Sequence, residues 1–299
     1  MMKIVKEIKN LDCGRVVEQP KMRDYTTYKV GGSVLAIVYP KNINQLIKLI
    51  SFLKNNEIRY KVLGNGSNVI FKDVSYDLVI IKLNHFNHLE INGRQIVVGA
   101  GYNLIALSLK AAKESLTGLE FASGIPGTVG GAVFMNAGAY KSDMGYIVKK
   151  IKVLNPNLEI ETFYNEQLNF HYRTSFLKEN PEYICLEATF QLRKGKKESI
   201  MEVIKDRKLR RIASQPLEYP SAGSVFRNPE GLFAGKLIED LGYKGKKIGG
   251  AVVSEKHANF IVNYNKAKGE DVIALIEKIK KEVKKEYGVE LTVEQEIVE

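Results

Sequence analysis

Residues 121–140 read FASGIPGTVGGAVFMNAGAY. It holds Gly124, Gly127, Gly130, Gly131 and Gly138, with Pro126, Thr128 and Asn136 among them and no charged side chain. Glycine loses more chain entropy on folding than any other residue. A chain tolerates this density where its backbone must come close to another group. Amide N–H groups with no side chains in the way suit a phosphate or diphosphate. A buried, glycine-rich structural turn fits the same residues.

A second glycine-rich run, GNGSN at 64–68, follows the short strand expected at Tyr60–Leu63. A turn of this kind directly after a strand is again a place to cradle a phosphate. Ahead of it, Val34–Tyr39 is β-branched and apolar and stops at Pro40. Ile43, Leu46, Ile47, Ile50 and Leu53 have helical spacing. The first part of the chain therefore reads β-α-β, with a further strand over Asp77–Leu83.

From His88 the pattern changes. Asn92-Gly93 lies between two strand-like runs, a hairpin signal. Leu104–Ala112 reads as a helix, and Val148–Leu154, Leu158–Phe163 and Tyr183–Leu192 as strands. No strand-GxGxxG-helix unit with a downstream acid marks a Rossmann domain. Lys197–Ala213 is a charged helix that leads into the last third. There Phe233–Leu241 forms a short helix closed by Gly242. Val272, Leu275, Ile276, Ile279 and Val283 line one face of a long helix ending at Gly288. Val289–Val293 alternates like a strand.

Composition bounds the function classes. At 299 residues with 44% hydrophobic content, the chain is a globular protein of about two domains, or three small ones. No apolar run reaches the roughly 18 residues of a membrane span. The start, MMKIVKEIKN, has no apolar core of a secretory signal. Cys13 and Cys185 fit no metal spacing, so reduced thiols in a cytoplasmic protein are expected, with no metal and no membrane. The net charge of +11 raises nucleic acid as a partner. The lysines, however, are spread along the chain and stand beside glutamates, as in KIKKEVKKEYG. A solvated basic surface that tolerates anionic substrates, with no nucleic acid bound, is the expectation.

Five motifs in order carry a resemblance. GNGSN at 64–68, SGIPGTVGGAVFMNAGAY at 123–140, HYRTS at 171–175, AGSVFRNP at 222–229 and the terminal VELTVEQEIVE resemble the UDP-N-acetylenolpyruvoylglucosamine reductase family. The resemblance implies an α+β fold, with a two-part FAD-binding module of the vanillyl-alcohol oxidase type followed by a smaller α+β substrate-binding domain. The expected division is 1–83 and 84–205 for FAD and 206–299 for substrate, with the last strand free to pack back on another domain. It implies non-covalent FAD, NADPH as co-substrate, and reduction of UDP-N-acetylglucosamine enolpyruvate to UDP-N-acetylmuramate in peptidoglycan precursor synthesis. A cytoplasmic monomer is expected. The short spacing after AGSVFRNP resembles the class without a tyrosine-bearing loop insertion.

The resemblance also assigns roles. Hydride addition to an enol ether builds negative charge on the attached carboxylate, which needs preorganised donors. Arg173 matches the family arginine for this carboxylate, Ser224 the proton donor, and Glu294 the glutamate that stabilises the intermediate. Glu290, Glu296 and Glu299 are nearby competitors for that last role. Gly64, Asn65, Gly66, Ser67 and Asn68 carry over as FAD contacts, mainly to the diphosphate. Ser123, Ile125, Pro126, Gly127, Thr128, Gly130, Gly131, Asn136, Gly138 and Ala139 carry over as further FAD contacts. Arg211, Arg227 and Asn228 are expected to bind the substrate. Arg211 could equally be a helix-end charge, and Ser224 a turn serine. Two rival readings stand: another flavin oxidoreductase of the same superfamily, and a basic nucleic-acid-binding protein.

Overall fold

Val34–Tyr39 (VLAIVY) has all six of its residues buried, so it is covered on both faces. In the computed structural model, which describes residues 2–299, it is an inner strand of a four-stranded sheet. The sheet order is Arg15–Glu18, Val34–Tyr39, Tyr76–Ile81, Tyr60–Val62. The last two run parallel. The helix Ile43–Asn55 joins Val34–Tyr39 to Tyr60–Val62 and buries Leu46, Leu49, Ile50 and Leu53. It starts where the Asn42 side chain accepts the Gln45 N–H at 3.0 Å, an N-cap that satisfies one orphan donor.

A second, five-stranded antiparallel sheet has the order Ile160–Tyr164, Val148–Leu154, Ile184–Gln191, Gln95–Gly99, Leu89–Asn92. The expected hairpin is present, with Asn92 opposite Gln95 and Gly93 in the left-handed region at φ 63°. Residues of both sheets contribute to one hydrophobic core, in which Leu46, Val79, Ile96, Val129, Ile151 and Phe190 take part.

By contact, the chain forms two compact units. The first comprises the residues up to Glu18, Leu35–Asn65 and Asp77–Leu209. The second comprises Gln19–Val34, Gly66–Tyr76 and Arg210–Glu299. The second unit has its own core around Tyr28, Ile70, Phe226, Val253 and the helix Gly269–Tyr287. That helix buries Val272, Leu275, Ile276, Ile279 and Val283, the face the spacing predicts. It stops at Gly288, whose left-handed φ of 68° makes the C-cap.

The end of the chain differs from the reading of alternation. Val289–Val293 is no strand. Within it, Val293 forms a single bridge with Phe226. The terminal strand is Glu296–Val298, which runs parallel to Val69–Phe71. Its partner lies more than two hundred residues earlier, beyond the reach of any local pattern. Cys13 and Cys185 are buried and free, and burial pushes the Cys185 thiol up to about 12. Among the described residues, no helix is long and apolar enough to cross a membrane.

Candidate active site

The GNGSN turn follows the strand Tyr60–Val62 and precedes Val69–Phe71. Among the described residues, the N–H groups of Gly64, Asn65, Gly66 and Ser67 meet no hydrogen-bond acceptor. Consecutive amides without partners in a sequence with no acidic side chain make a donor set for an anion. Gly66 sits at φ 67°, and a Cβ there would lie 2.5 Å from the Tyr25 carbonyl oxygen, so both conformation and space require glycine. Gly64 needs glycine for another reason: a Cβ there would stand 2.6 Å from Thr128 Oγ1. The two glycine-rich runs therefore meet.

Residues 121–140 behave differently from GNGSN. The Gly127 N–H donates to Ile125 O at 2.9 Å and the Gly130 N–H to Ala100 O at 2.8 Å. The Gly131 N–H donates to Thr128 Oγ1 at 3.3 Å, which caps the helix Val129–Phe134. Gly130 is close-packed, since a Cβ would meet that of Ala100 at 2.9 Å. A Cβ on Gly127 would meet nothing within 4 Å. Ser123 Oγ donates to Glu120 O at 2.8 Å. Pro126 is exposed, Ile125 half-buried, and Gly138 and Ala139 pair with Ser142 and Asp143. The segment is thus an internally bonded support whose amides are largely committed.

Asn136 is 2% exposed and joins this segment to HYRTS. Its Nδ2 donates to His171 O at 2.8 Å, and its Oδ1 accepts the Gly145 N–H at 2.9 Å. Arg173 follows two residues after His171, with a left-handed φ of 59°. Its Nη2 donates to Gly138 O at 2.9 Å, and its guanidinium lies 5.0 Å from the Tyr172 ring centre. A residue held at such a φ is an uncommon placement that fixes the direction of its side chain. Arg173 also lowers the Asp143 carboxyl, whose pKa is nevertheless raised on balance because burial is the larger effect.

In the second unit, AGSVFRNP and the chain terminus are clamped together. The Glu294 N–H donates to Val225 O at 2.8 Å and the Arg227 N–H to Thr292 O at 2.9 Å. Gln295, 4% exposed, donates from Nε2 to Ala222 O at 3.1 Å and Gly223 O at 3.0 Å. Asn259 holds Phe226 on both sides, accepting its N–H at 2.9 Å and donating to its carbonyl at 2.8 Å. Ser224 is therefore flanked by two backbone anchors, Gln295 on Gly223 and the Glu294 amide on Val225. Asn68 Nδ2 donates to Glu294 O at 3.2 Å, and the Glu296 N–H returns to Asn68 O at 2.9 Å. Asn228 is exposed, and its Oδ1 accepts the Ala234 N–H at 3.1 Å, capping a short helix. Arg211 is half-buried in the last turn of Lys197–Ser214.

With this geometry in view, similarity identifies the family. Over all 299 of its residues, the chain is 44% identical to the UDP-N-acetylenolpyruvoylglucosamine reductase of Anoxybacillus flavithermus, and the match covers 99% of that protein. The chain belongs to the UDP-N-acetylenolpyruvoylglucosamine reductase family. The enzyme of this name from Bacillus subtilis is 42% identical over the same span, covering 99% of its length. The crystal structure of UDP-N-acetylenolpyruvylglucosamine reductase from Thermus caldophilus superposes with a TM-score of 0.82 at 34% identity. It covers 95% of this chain and 99% of that one. An FAD binding domain matches residues 34–163, and the C-terminal domain of UDP-N-acetylenolpyruvoylglucosamine reductase matches residues 215–298. The α+β fold, with an FAD-binding module ahead of a smaller C-terminal domain, is therefore that of the family.

The residues present fit FAD. The unpartnered amides at 64–67 suit a diphosphate, and neither glycine-rich run carries an acid that would repel it. Three further residues, one in the first unit and two in the second, position these segments. Lys82 donates to Gly64 O, and Gln295 and Asn259 hold the backbone around Ser224. Each acts on a carbonyl or amide remote in sequence, which leaves no motif.

Proposed function

We propose that the chain reduces UDP-N-acetylglucosamine enolpyruvate to UDP-N-acetylmuramate with NADPH, for peptidoglycan precursor synthesis. The observation that carries this is a row of unpartnered amides at Gly64–Ser67 in a chain of this family. When bound, FAD supplies the hydride chemistry between NADPH and the enolpyruvyl group. Gly64, Asn65, Gly66 and Ser67 hold the diphosphate through N–H groups, and Asn68 ties that turn to the terminal segment. Thr128, Gly130, Gly131, Asn136, Gly138 and Ala139 support the cofactor site, with Ser123, Ile125, Pro126 and Gly127 beside it.

Arg173 binds the substrate carboxylate, where its guanidinium offers two parallel donors to the charge that develops during reduction. Ser224 holds a proton at Oγ and gives it to the carbon next to that carboxylate. Glu294 stabilises the charge change beside Ser224. Arg211, Arg227 and Asn228 contact the sugar nucleotide. On this reading 1–83 and 84–205 serve FAD and 206–299 serves substrate, in a cytoplasmic monomer. The test is product analysis. NADPH consumption should require the enolpyruvyl sugar nucleotide and yield UDP-N-acetylmuramate by mass spectrometry. NADPH consumption that ignores this substrate would favour another flavin oxidoreductase.

A further inference from the structure

Lys82 is 8% exposed, a depth at which a lysine is ordinarily paired with a carboxylate. Among the described residues its Nζ has one acceptor, the Gly64 carbonyl oxygen at 2.7 Å. Among the described residues no acid is paired with it, and burial pushes its pKa down to about 8. The fold thus keeps a cation under the glycine-rich turn without supplying an anion.

The Gly64 carbonyl shares its peptide group with the Asn65 N–H. In a trans peptide these two point in opposite directions. An ammonium on the oxygen side fixes the plane of that peptide and polarises it, which strengthens the N–H as a donor on the far side. That N–H belongs to the unpartnered set at 64–67. We propose that Lys82 is a positioning residue for the cofactor diphosphate, aiming the Asn65 amide at it and balancing its negative charge from beneath the turn. This rests on the reading of the turn as the FAD diphosphate site.

The experiment titrates apo-protein with FAD and, separately, with riboflavin, which carries the flavin ring without a diphosphate. Binding is followed by flavin fluorescence. Lys82→Met should weaken FAD by about ten- to a hundredfold, the range of a hydrogen bond to a charged group. Riboflavin affinity should stay within about twofold of wild type. Lys82→Gln keeps an N–H for the Gly64 carbonyl and removes only the charge. It should also lose FAD affinity while its melting temperature does not fall, because the buried charge that penalises folding is gone. Wild-type affinity for FAD in either variant overturns the inference and leaves the reductase reading intact. Equal losses for FAD and riboflavin also overturn it, because a general collapse of the turn would then be the cause. Wild-type protein that binds no FAD overturns the reductase reading, and this inference with it.

Discussion

Thr128 Oγ1 occupies the space beside Gly64, 2.6 Å from where a Cβ on that glycine would lie. The same oxygen accepts the Gly131 N–H that caps the helix Val129–Phe134. One hydroxyl therefore joins the turn with unpartnered amides to the glycine-rich segment that supports it. The absence of a side chain at Gly64 is therefore a packing requirement.

This contact predicts coupling between the two positions. Gly64→Ala should destabilise the protein by about 1–3 kcal/mol, the usual cost of overpacking. Thr128→Ala should cost about 1 kcal/mol for the lost cap. The double variant should lose less than the sum by more than about 0.5 kcal/mol, because removing Oγ1 makes room for the new methyl. Urea unfolding of the four apo-proteins measures this, and additive losses would contradict the contact.

Gly127 gives the opposite prediction. Among the described residues, and apart from its own chain neighbours, nothing lies within 4 Å of a Cβ placed there. Gly127→Ala should leave apo-protein stability within about 0.5 kcal/mol of wild type. If this face lies against the cofactor, FAD affinity should fall about tenfold, equivalent to about 1.4 kcal/mol. Parallel melting and fluorescence titrations separate the two effects, and unchanged affinity would remove Gly127 from the cofactor site.

Asn259 should matter to stability before it matters to chemistry. Asn259→Ala leaves the buried N–H and carbonyl of Phe226 without the side chain that serves both. A loss of about 2–4 kcal/mol is expected from these unsatisfied groups. Asn259→Ala at wild-type stability would show that the AGSVFRNP loop is held by other means.

Lys82 gives a pH dependence whose sign is fixed. Its folded pKa of about 8 lies below the ordinary lysine value of 10.5. Folding therefore carries a penalty at neutral pH, where the amine is charged in both states. The penalty fades as pH rises from about 8 towards 10.5. Lys82→Met lacks this titration. Wild-type apo-protein should gain stability relative to Lys82→Met over that window, on the order of 3 kcal/mol in total. Denaturation of both proteins from pH 7 to 10.5 checks it, and a constant difference would mean that Lys82 is not a buried cation.

Ser224→Ala tests the proposed role of Ser224 as proton donor. NADPH should still reduce the flavin at the wild-type rate. Re-oxidation by the enolpyruvyl substrate should slow by about 10²–10⁴-fold, the span of general acid catalysis. Stopped-flow absorbance resolves the two half-reactions. Equal loss in both would argue against Ser224 as the acid.

Much of this was legible in the sequence because its signals are local. The helices Ile43–Asn55 and Gly269–Tyr287 follow their apolar spacing, and Gly288 ends the second as a C-cap glycine. The glycine-rich runs were visible, but not the difference between them. Composition cannot show that the Gly130 amide is taken by Ala100 while the Gly64 and Asn65 amides are left over. Lys82 reads as an ordinary lysine at a strand end until its contact with Gly64 is seen. Val69–Phe71 is a strand that no local pattern announces, and Val289–Val293 alternates like a strand without pairing as one. In both cases pairing is set by residues far away in the chain. The Glu294 amide bonds Val225, the residue after Ser224, a contact that sequence spacing does not encode.

The most direct test of the central claim is an anaerobic flavin absorbance experiment on the purified protein loaded with FAD. One equivalent of NADPH should bleach the flavin band near-completely, and the enolpyruvyl sugar nucleotide should restore it with formation of UDP-N-acetylmuramate. A protein that retains no FAD after reconstitution, or a bleached flavin that this substrate leaves reduced, would contradict the account.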